Sequence, residues 1–297
     1  MINTVYCLLT KRCNLSCKHC DVYKYEDNWN QKKFVDTLRN IDGKFILFGG
    51  ECSLYPERIK LLLEDDIIKN RIKSVSTNLL ILNDEILTFW RTIGNIGTSW
   101  NPNRFNDIQY QLWLNNLKVL SKYSNDINIT LLIVLEDSLF TYDFDKFINM
   151  LKELDNMNIF KSVKFEPYVG STSDRNYFIR SDNFLSKLYD HWNFNMILDN
   201  IERAQINFFN CSKTYHVDPD GTLHIGCAHE ETITYSNDCL TCENNSICRP
   251  CQLQKFCTVP YNFTKKVYND IESGKLKPVP GYEHHKLNLE VIKNVIN

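Results

Sequence analysis

The chain of 297 residues carries 34 basic and 36 acidic side chains, a formal net charge of −2, and twelve cysteines. That balance excludes a general electrostatic affinity for nucleic acid or anionic membrane. No apolar run approaches the ~18 residues needed to span a bilayer, and the length suffices for a large core in one domain or two.

Thr4–Leu9 is a short apolar run and reads as a first strand. Met1-Ile2-Asn3 leads straight into it, without the basic region, long apolar region or small-residue cleavage site of a secretory signal. Outside the secretory route cysteines serve metals or catalysis rather than disulfides. We therefore expect a soluble cytoplasmic protein with reduced, metallated thiols. The next segment is Lys11-Arg12-Cys13-Asn14-Leu15-Ser16-Cys17-Lys18-His19-Cys20, a C-x3-C-x2-C pattern. At roughly 4% cysteine this spacing should arise by chance about 0.02 times in such a chain. Three thiolates can hold three corners of a [4Fe-4S] cube and leave the fourth iron open, whereas a closed structural site takes four ligands.

Apolar positions Phe34, Val35, Leu38 and Ile41 predict a helix over Lys32–Ile41, and Phe45–Phe48 a buried strand. Gly49-Gly50-Glu51 follows it: two glycines permit a tight turn and close backbone approach to a ligand, and a carboxylate there can accept hydrogen bonds from an ammonium group. Further helices are predicted at Glu57–Ile68, Asp84–Thr92, Ile108–Leu120 and Asp143–Leu154, alternating with strands at Ile72–Ser76, Ile96–Trp100, Ile127–Leu135 and Val163–Tyr168. Six such units imply α/β architecture with a parallel sheet, an open, partial (β/α)6 TIM-like barrel. Sites of parallel barrels lie at the C-terminal strand ends, where the cysteine loop, Glu51, Ser76 and Asn78 all fall. Ser99, Asn101 and Arg104 share that rim, with Arg104 read as a carboxylate partner or an ordinary surface charge, and Glu166 as cavity-facing or part of the rim.

Phe184–Leu198 reads as a connecting helix. Seven cysteines follow: Cys211 and Cys227, then Cys239-x2-Cys242-x5-Cys248-x2-Cys251-x5-Cys257. Val217–Ile225 reads as a hairpin around Pro219-Asp220-Gly221. The tail from Lys275, with His284-His285, is expected to be peripheral. C-x2-C pairs also occur in zinc knuckles, but five residues between pairs is short for a zinc ribbon. Cys7 reads as a small buried hydrophobe.

Cys13, Cys17 and Cys20 resemble the cluster motif of radical S-adenosylmethionine enzymes, and Gly49-Gly50-Glu51 and Ser76-Thr77-Asn78 resemble that family's cofactor-contacting segments. The resemblance implies S-adenosylmethionine bound at the open iron, a 5′-deoxyadenosyl radical, and contacts from Gly49, Gly50, Glu51, Ser76 or Asn78. The family usually has an aromatic where this chain has His19, which bears on how adenine packs. Cys52 stands where the family often has proline, next to Glu51, and is considered as a hydrogen-atom donor to a substrate radical. The C-terminal cysteines resemble the SPASM iron–sulfur extension, although G-x5-C and C-x2-C replace its usual G-x4-C and C-x3-C. By position Cys239, Cys242, Cys248 and Cys257 take a distal cluster, and Cys211, Cys227 and Cys251 a proximal one. The proximal cluster then has an open iron or a ligand such as His216 or His229, or the extension holds a single auxiliary cluster. The implied organisation is 1–206 catalytic core, 207–262 cysteine-rich iron–sulfur domain and 263–297 C-terminal helix and tail. The implied partners are a low-potential donor of flavodoxin or ferredoxin type and a peptide or small-molecule substrate. Because the core begins almost at residue 1, a peptide would need a separate recognition protein or direct contact with the barrel.

Overall fold

The computed structural model describes residues 4–20, 27–168, 175–205, 214–225, 261–280 and 282. Six strands follow the predicted alternation: β1 (Thr4–Leu8), β2 (Lys44–Phe48), β3 (Ile72–Ser76), β4 (Asn95–Ser99), β5 (Asn128–Leu135) and β6 (Phe160–Pro167). Each pairs in parallel with the next. Short strands extend both sides: β7 (Ile197–Leu198) beside β6, β8 (Thr214–Val217) parallel to β1, and β9 (Leu223–Ile225) antiparallel to β8. The resulting sheet has nine strands in the order β7-β6-β5-β4-β3-β2-β1-β8-β9.

The helices are α1 (Gln31–Asn40), α2 (Pro56–Leu63), α3 (Asp66–Lys69), α4 (Asp84–Ile93), α5 (Asp107–Ser121), α6 (Asp137–Phe140), α7 (Phe144–Asp155), α8 (Arg175–Asp190), α9 (Asp199–Gln205) and α10 (Tyr261–Glu272). Their ends follow local chemistry. Asn30, Asn83 and Asn106 cap α1, α4 and α5, the last in a full capping box with Gln109, and α4 stops at left-handed Gly94. The stretch expected as one helix over Glu57–Ile68 is two, because Asp65 accepts from the Ile67 and Ile68 amides and starts a new one. The helix expected at Phe184–Leu198 is shifted to Arg175–Asp190: Asp155 binds the Asn195 and Met196 amides and turns the chain so that Ile197 and Leu198 join β6. Asp182 on α8 accepts from the Asn262 and Phe263 amides, which docks the start of α10 on α8. Beyond α10 the Val279 amide donates to Gln205 and Tyr282 is buried, so the first part of the tail is packed rather than peripheral.

The core lies on one face of the sheet. Val5, Cys7, Phe45, Leu47, Val75, Ile96, Leu131, Ile133, Val163 and Phe165 point to it and meet Phe34, Leu38, Ile59, Trp90, Trp113, Phe147 and Leu151 from the helices. Alternate residues, among them Tyr6, Phe48, Ser76, Ser99, Leu132, Lys164 and Glu166, line the other face and are half-buried. His19, in the loop after β1, meets Glu136, just past β5, at 3.3 Å. In a flat sheet those strands would stand about 19 Å apart, four steps of about 4.8 Å, so the sheet curves with the half-buried face inside.

Candidate functional site

Beyond β1 and β2 the parallel pairing continues into the loops. The Leu9 amide donates to Phe48 O (2.8 Å), Gly50 N to Thr10 O (2.7 Å) and Glu51 N to Arg12 O (2.8 Å). The cysteine loop and the Gly-Gly-Glu segment are thus joined backbone to backbone. A Cβ on Gly49 or Gly50 would run into the carbonyl oxygens of Thr10 and Arg12, and Gly49 has φ of +155°. What approaches these glycines among the described residues is the cysteine loop itself.

Glu51 is fully buried. Its Oε1 accepts from Ser53 N (3.0 Å), Ser53 Oγ (2.6 Å) and Thr77 Oγ1 (2.7 Å), and Oε2 from Asn78 N (2.6 Å). Each oxygen of an ionised carboxylate has about two acceptor sites, and Oε2 takes one donor against three on Oε1, so the remaining capacity lies on Oε2, and a ligand reaches it only when the local cover shifts. Asn78 then links this carboxylate to the cysteines: its Nδ2 donates to Asn14 Oδ1 at 2.6 Å and stands 3.9 Å from Cys13 Sγ. Leu79, next in the chain, is held at φ 57°, a left-handed conformation a leucine seldom adopts. Thr77 Oγ1 accepts from its amide and Asn116 donates to its carbonyl. Three separate motifs, Cys13-Asn14, Glu51 and Asn78, therefore meet at one rim. Ser76 does not join them; it stays half-buried on the concave face. Thr77 does, and its place between the two predicted residues was the signal for it.

The other side of the loop faces a cavity of about 330 Å³ lined by Cys17, His19, Arg104, Glu136, Ser138 and Tyr168, among others. Arg104 Nη1 lies 3.4 Å from Cys17 Sγ, and its buried Nε has no hydrogen-bond partner among the described residues. Burial pushes the Cys17 thiol up and Arg104 opposes it; burial also raises Cys13, against the Leu15 amide 3.4 Å from its sulfur. His19 Nδ1 meets Glu136 Oε2 at 3.3 Å, and Ser138 Oγ donates to Oε1 at 2.7 Å. Burial alone would raise Glu136, but the bonds from His19 and Ser138 outweigh it and leave the carboxyl below its usual range. Glu136 and Ser138 follow directly on the fifth strand, and that rim position is the sequence signal that points to them.

Among the described residues no three His, Cys, Asp or Glu side chains stand close enough to hold a single metal ion. One ion about 2.3 Å from each sulfur would draw the three to within about 4 Å of each other, whereas an iron–sulfur cube takes each cysteine at a different iron. Cys13 and Cys17, and Cys17 and Cys20, do act on each other electrostatically. Three half-buried thiols in one loop, with an unsatisfied arginine Nε beside them, fit an anionic cluster better than one ion. Cys52 is fully buried in the apolar core beside Cys13 and Cys7, so it does not line the cavity; burial holds its thiol well above the usual range. His216 stacks on Tyr6 at 5.1 Å on the concave face. Cys211, Cys227, Cys239, Cys242, Cys248, Cys251 and Cys257, together with His229, His284 and His285, lie outside the described residues.

No protein-family model matches the chain, and no curated protein does. Among solved structures it is similar to SuiB of Streptococcus suis in its crystal structure bound to S-adenosylmethionine, with a TM-score of 0.52 and 10% identity. The match covers 80% of this chain and 61% of SuiB, so this chain spans about three-fifths of that protein's length. At this identity the likeness is one of fold.

Proposed function

We propose that the chain is a radical S-adenosylmethionine enzyme. The observation that carries this is the meeting of Cys13-Asn14, Glu51 and Asn78 at one rim of a curved parallel sheet. The fold likeness to a protein bound to S-adenosylmethionine supports it, as does the C-x3-C-x2-C spacing. Cys13, Cys17 and Cys20 would hold a [4Fe-4S] cluster. With cluster and S-adenosylmethionine bound, the chemistry supplied is reductive cleavage to a 5′-deoxyadenosyl radical that abstracts a substrate hydrogen.

The chain's own residues bind, orient and exclude water. Glu51 Oε2 is the acceptor for the methionyl ammonium, and Asn78 holds that carboxylate in register with the cysteine loop. Arg104 offers its unpaired Nε to a carboxylate or to the cluster's negative charge. Glu136 fixes the His19 ring at the cavity wall, where the nucleoside is placed. The curled face, read as a partial (β/α)6 barrel, receives the substrate between Tyr6, Phe48 and Lys164. On their resemblance to the SPASM extension, the seven C-terminal cysteines are assigned one or two auxiliary [4Fe-4S] clusters. We assign as substrate a ribosomally made peptide, modified by oxidation, crosslinking or epimerisation. A flavodoxin- or ferredoxin-type donor supplies the electron.

Anaerobically reconstituted and reduced protein should form 5′-deoxyadenosine from S-adenosylmethionine, and Cys13→Ala, Cys17→Ala and Cys20→Ala should each abolish it. A wild type that binds iron yet forms none would remove the proposal. Iron of about twelve, eight or four per chain separates two, one and no auxiliary clusters.

A further inference from the structure

Leu9, at the end of β1, and Asp27 flank the cysteine loop in sequence, and one side chain from elsewhere grips both. Arg58, in the first turn of α2, is 8% exposed. Its Nη1 donates to Leu9 O at 2.7 Å and its Nη2 pairs with Asp27 Oδ2 at 2.9 Å. Asp27 Oδ1 accepts from Lys11 N at 2.9 Å, and the Thr10 side chain also bonds this carboxylate. The guanidinium lies over the rings of Trp29 (4.5 Å) and Tyr55 (4.1 Å). None of these groups faces the cavity beside Cys17. A buried guanidinium and carboxylate are costly to desolvate. Here the planar fork does what a lysine cannot, binding a carbonyl and a carboxylate at once between two aromatic rings.

We propose that Arg58 is a positioning residue for the site: with Asp27 it closes the base of the cysteine loop before any metal arrives, so that Cys13, Cys17 and Cys20 are presented together. This deepens the proposed function and rests on it only in naming an iron–sulfur cluster as the group they hold. A loop free at its base samples many arrangements, and closing it costs entropy. A cluster that binds only the closed form sees its apparent affinity reduced by the fraction that is closed. The clamp raises that fraction.

The test uses full-length protein in wild-type, Arg58→Lys and Asp27→Asn forms. Arg71→Lys serves as a control, since Arg71 makes a comparable set of carbonyl contacts, to Leu38, Ile41 and Gly43, around the N-terminal end of β2. Metal-free protein is alkylated with iodoacetamide under anaerobic conditions and each cysteine is followed by mass spectrometry. Fully buried Cys7 and Cys52 report global opening. Cys13, Cys17 and Cys20 should react several-fold faster in Arg58→Lys and Asp27→Asn, with Cys7, Cys52 and the Arg71→Lys protein unchanged. After reconstitution, the S-adenosylmethionine-responsive EPR signal should be lost to an iron chelator about tenfold faster in the same two variants. Wild-type rates in both variants would overturn the clamp, as would equal acceleration at Cys7 and Cys52, which would make Arg58 merely stabilising. A wild type without an S-adenosylmethionine-responsive cluster would sink the proposed function, and the alkylation rates would still decide the clamp.

Discussion

Glu51 gathers four donors from two segments of chain while wholly out of water. In Glu51→Gln the new amide must face at least one of those donors, which loses a charge-assisted bond and opposes two N–H or O–H groups. Stability should fall by about 1.5–3 kcal/mol, read by urea unfolding of metal-free protein, and S-adenosylmethionine binding should be lost while iron content is kept. Arg104 acts on the thiols of Cys17 and Cys13, and lies 3.4 Å from the Cys17 sulfur. In Arg104→Gln the largest opposition to the burial of Cys17 is lost, its thiol moves higher, and its alkylation in metal-free protein at neutral pH should slow relative to Cys20. Cys13, Glu51 and Asn78 were legible as site candidates because each sits in a local motif at a strand end. Arg104 and Glu136 were not assigned, because what distinguishes them, a sulfur at 3.4 Å and a histidine at 3.3 Å, belongs to partners far off in the chain.

Caps decide where elements begin, and they are written locally. Asp65 starts α3 by accepting from two backbone amides and also binds Arg39 Nε at 2.8 Å. Burial works to raise its carboxyl, but the bonds from Ile68 and Arg39 outweigh that, so it lies below the usual range. A depressed folded value adds stability above the unfolded value near 3.9, and that stability is lost as pH falls through the lower folded value. Asp65→Ala should cost about 1 kcal/mol near neutral pH and flatten the acid limb of a stability–pH curve measured by denaturant unfolding. The alternation of strands and helices was readable for the same local reason. The end of α8 was not: Asp155, which turns the chain at Asn195, is forty residues earlier.

At the scale of the molecule the helices cover one face and the sheet curls over the other. On that other face Lys164 pairs with Glu166, which also pairs with Arg203. Burial opposes the Lys164 ammonium, but Glu166 outweighs burial and holds it above its ordinary range. Lys164→Met should destabilise by about 2 kcal/mol, less than breaking a fully buried pair because Arg203 still neutralises Glu166. Thermal unfolding of the metal-free protein measures it. The β-branched run Ile127–Leu135 marked the fifth strand in the sequence; no local pattern showed that β8 would lie beside β1, since that choice is made between Thr4 and Thr214.

That pairing has a cost in time. During synthesis β1 takes one neighbour from β2, but its other edge stays bare until Thr214–Val217 has been made. At about 5–20 residues per second the wait is on the order of 10–40 s. For that interval the nascent chain offers a ready template to any other strand. A fragment ending at Gln205 keeps the edge open permanently, and should aggregate at concentrations where the full chain stays dispersed, as light scattering would register.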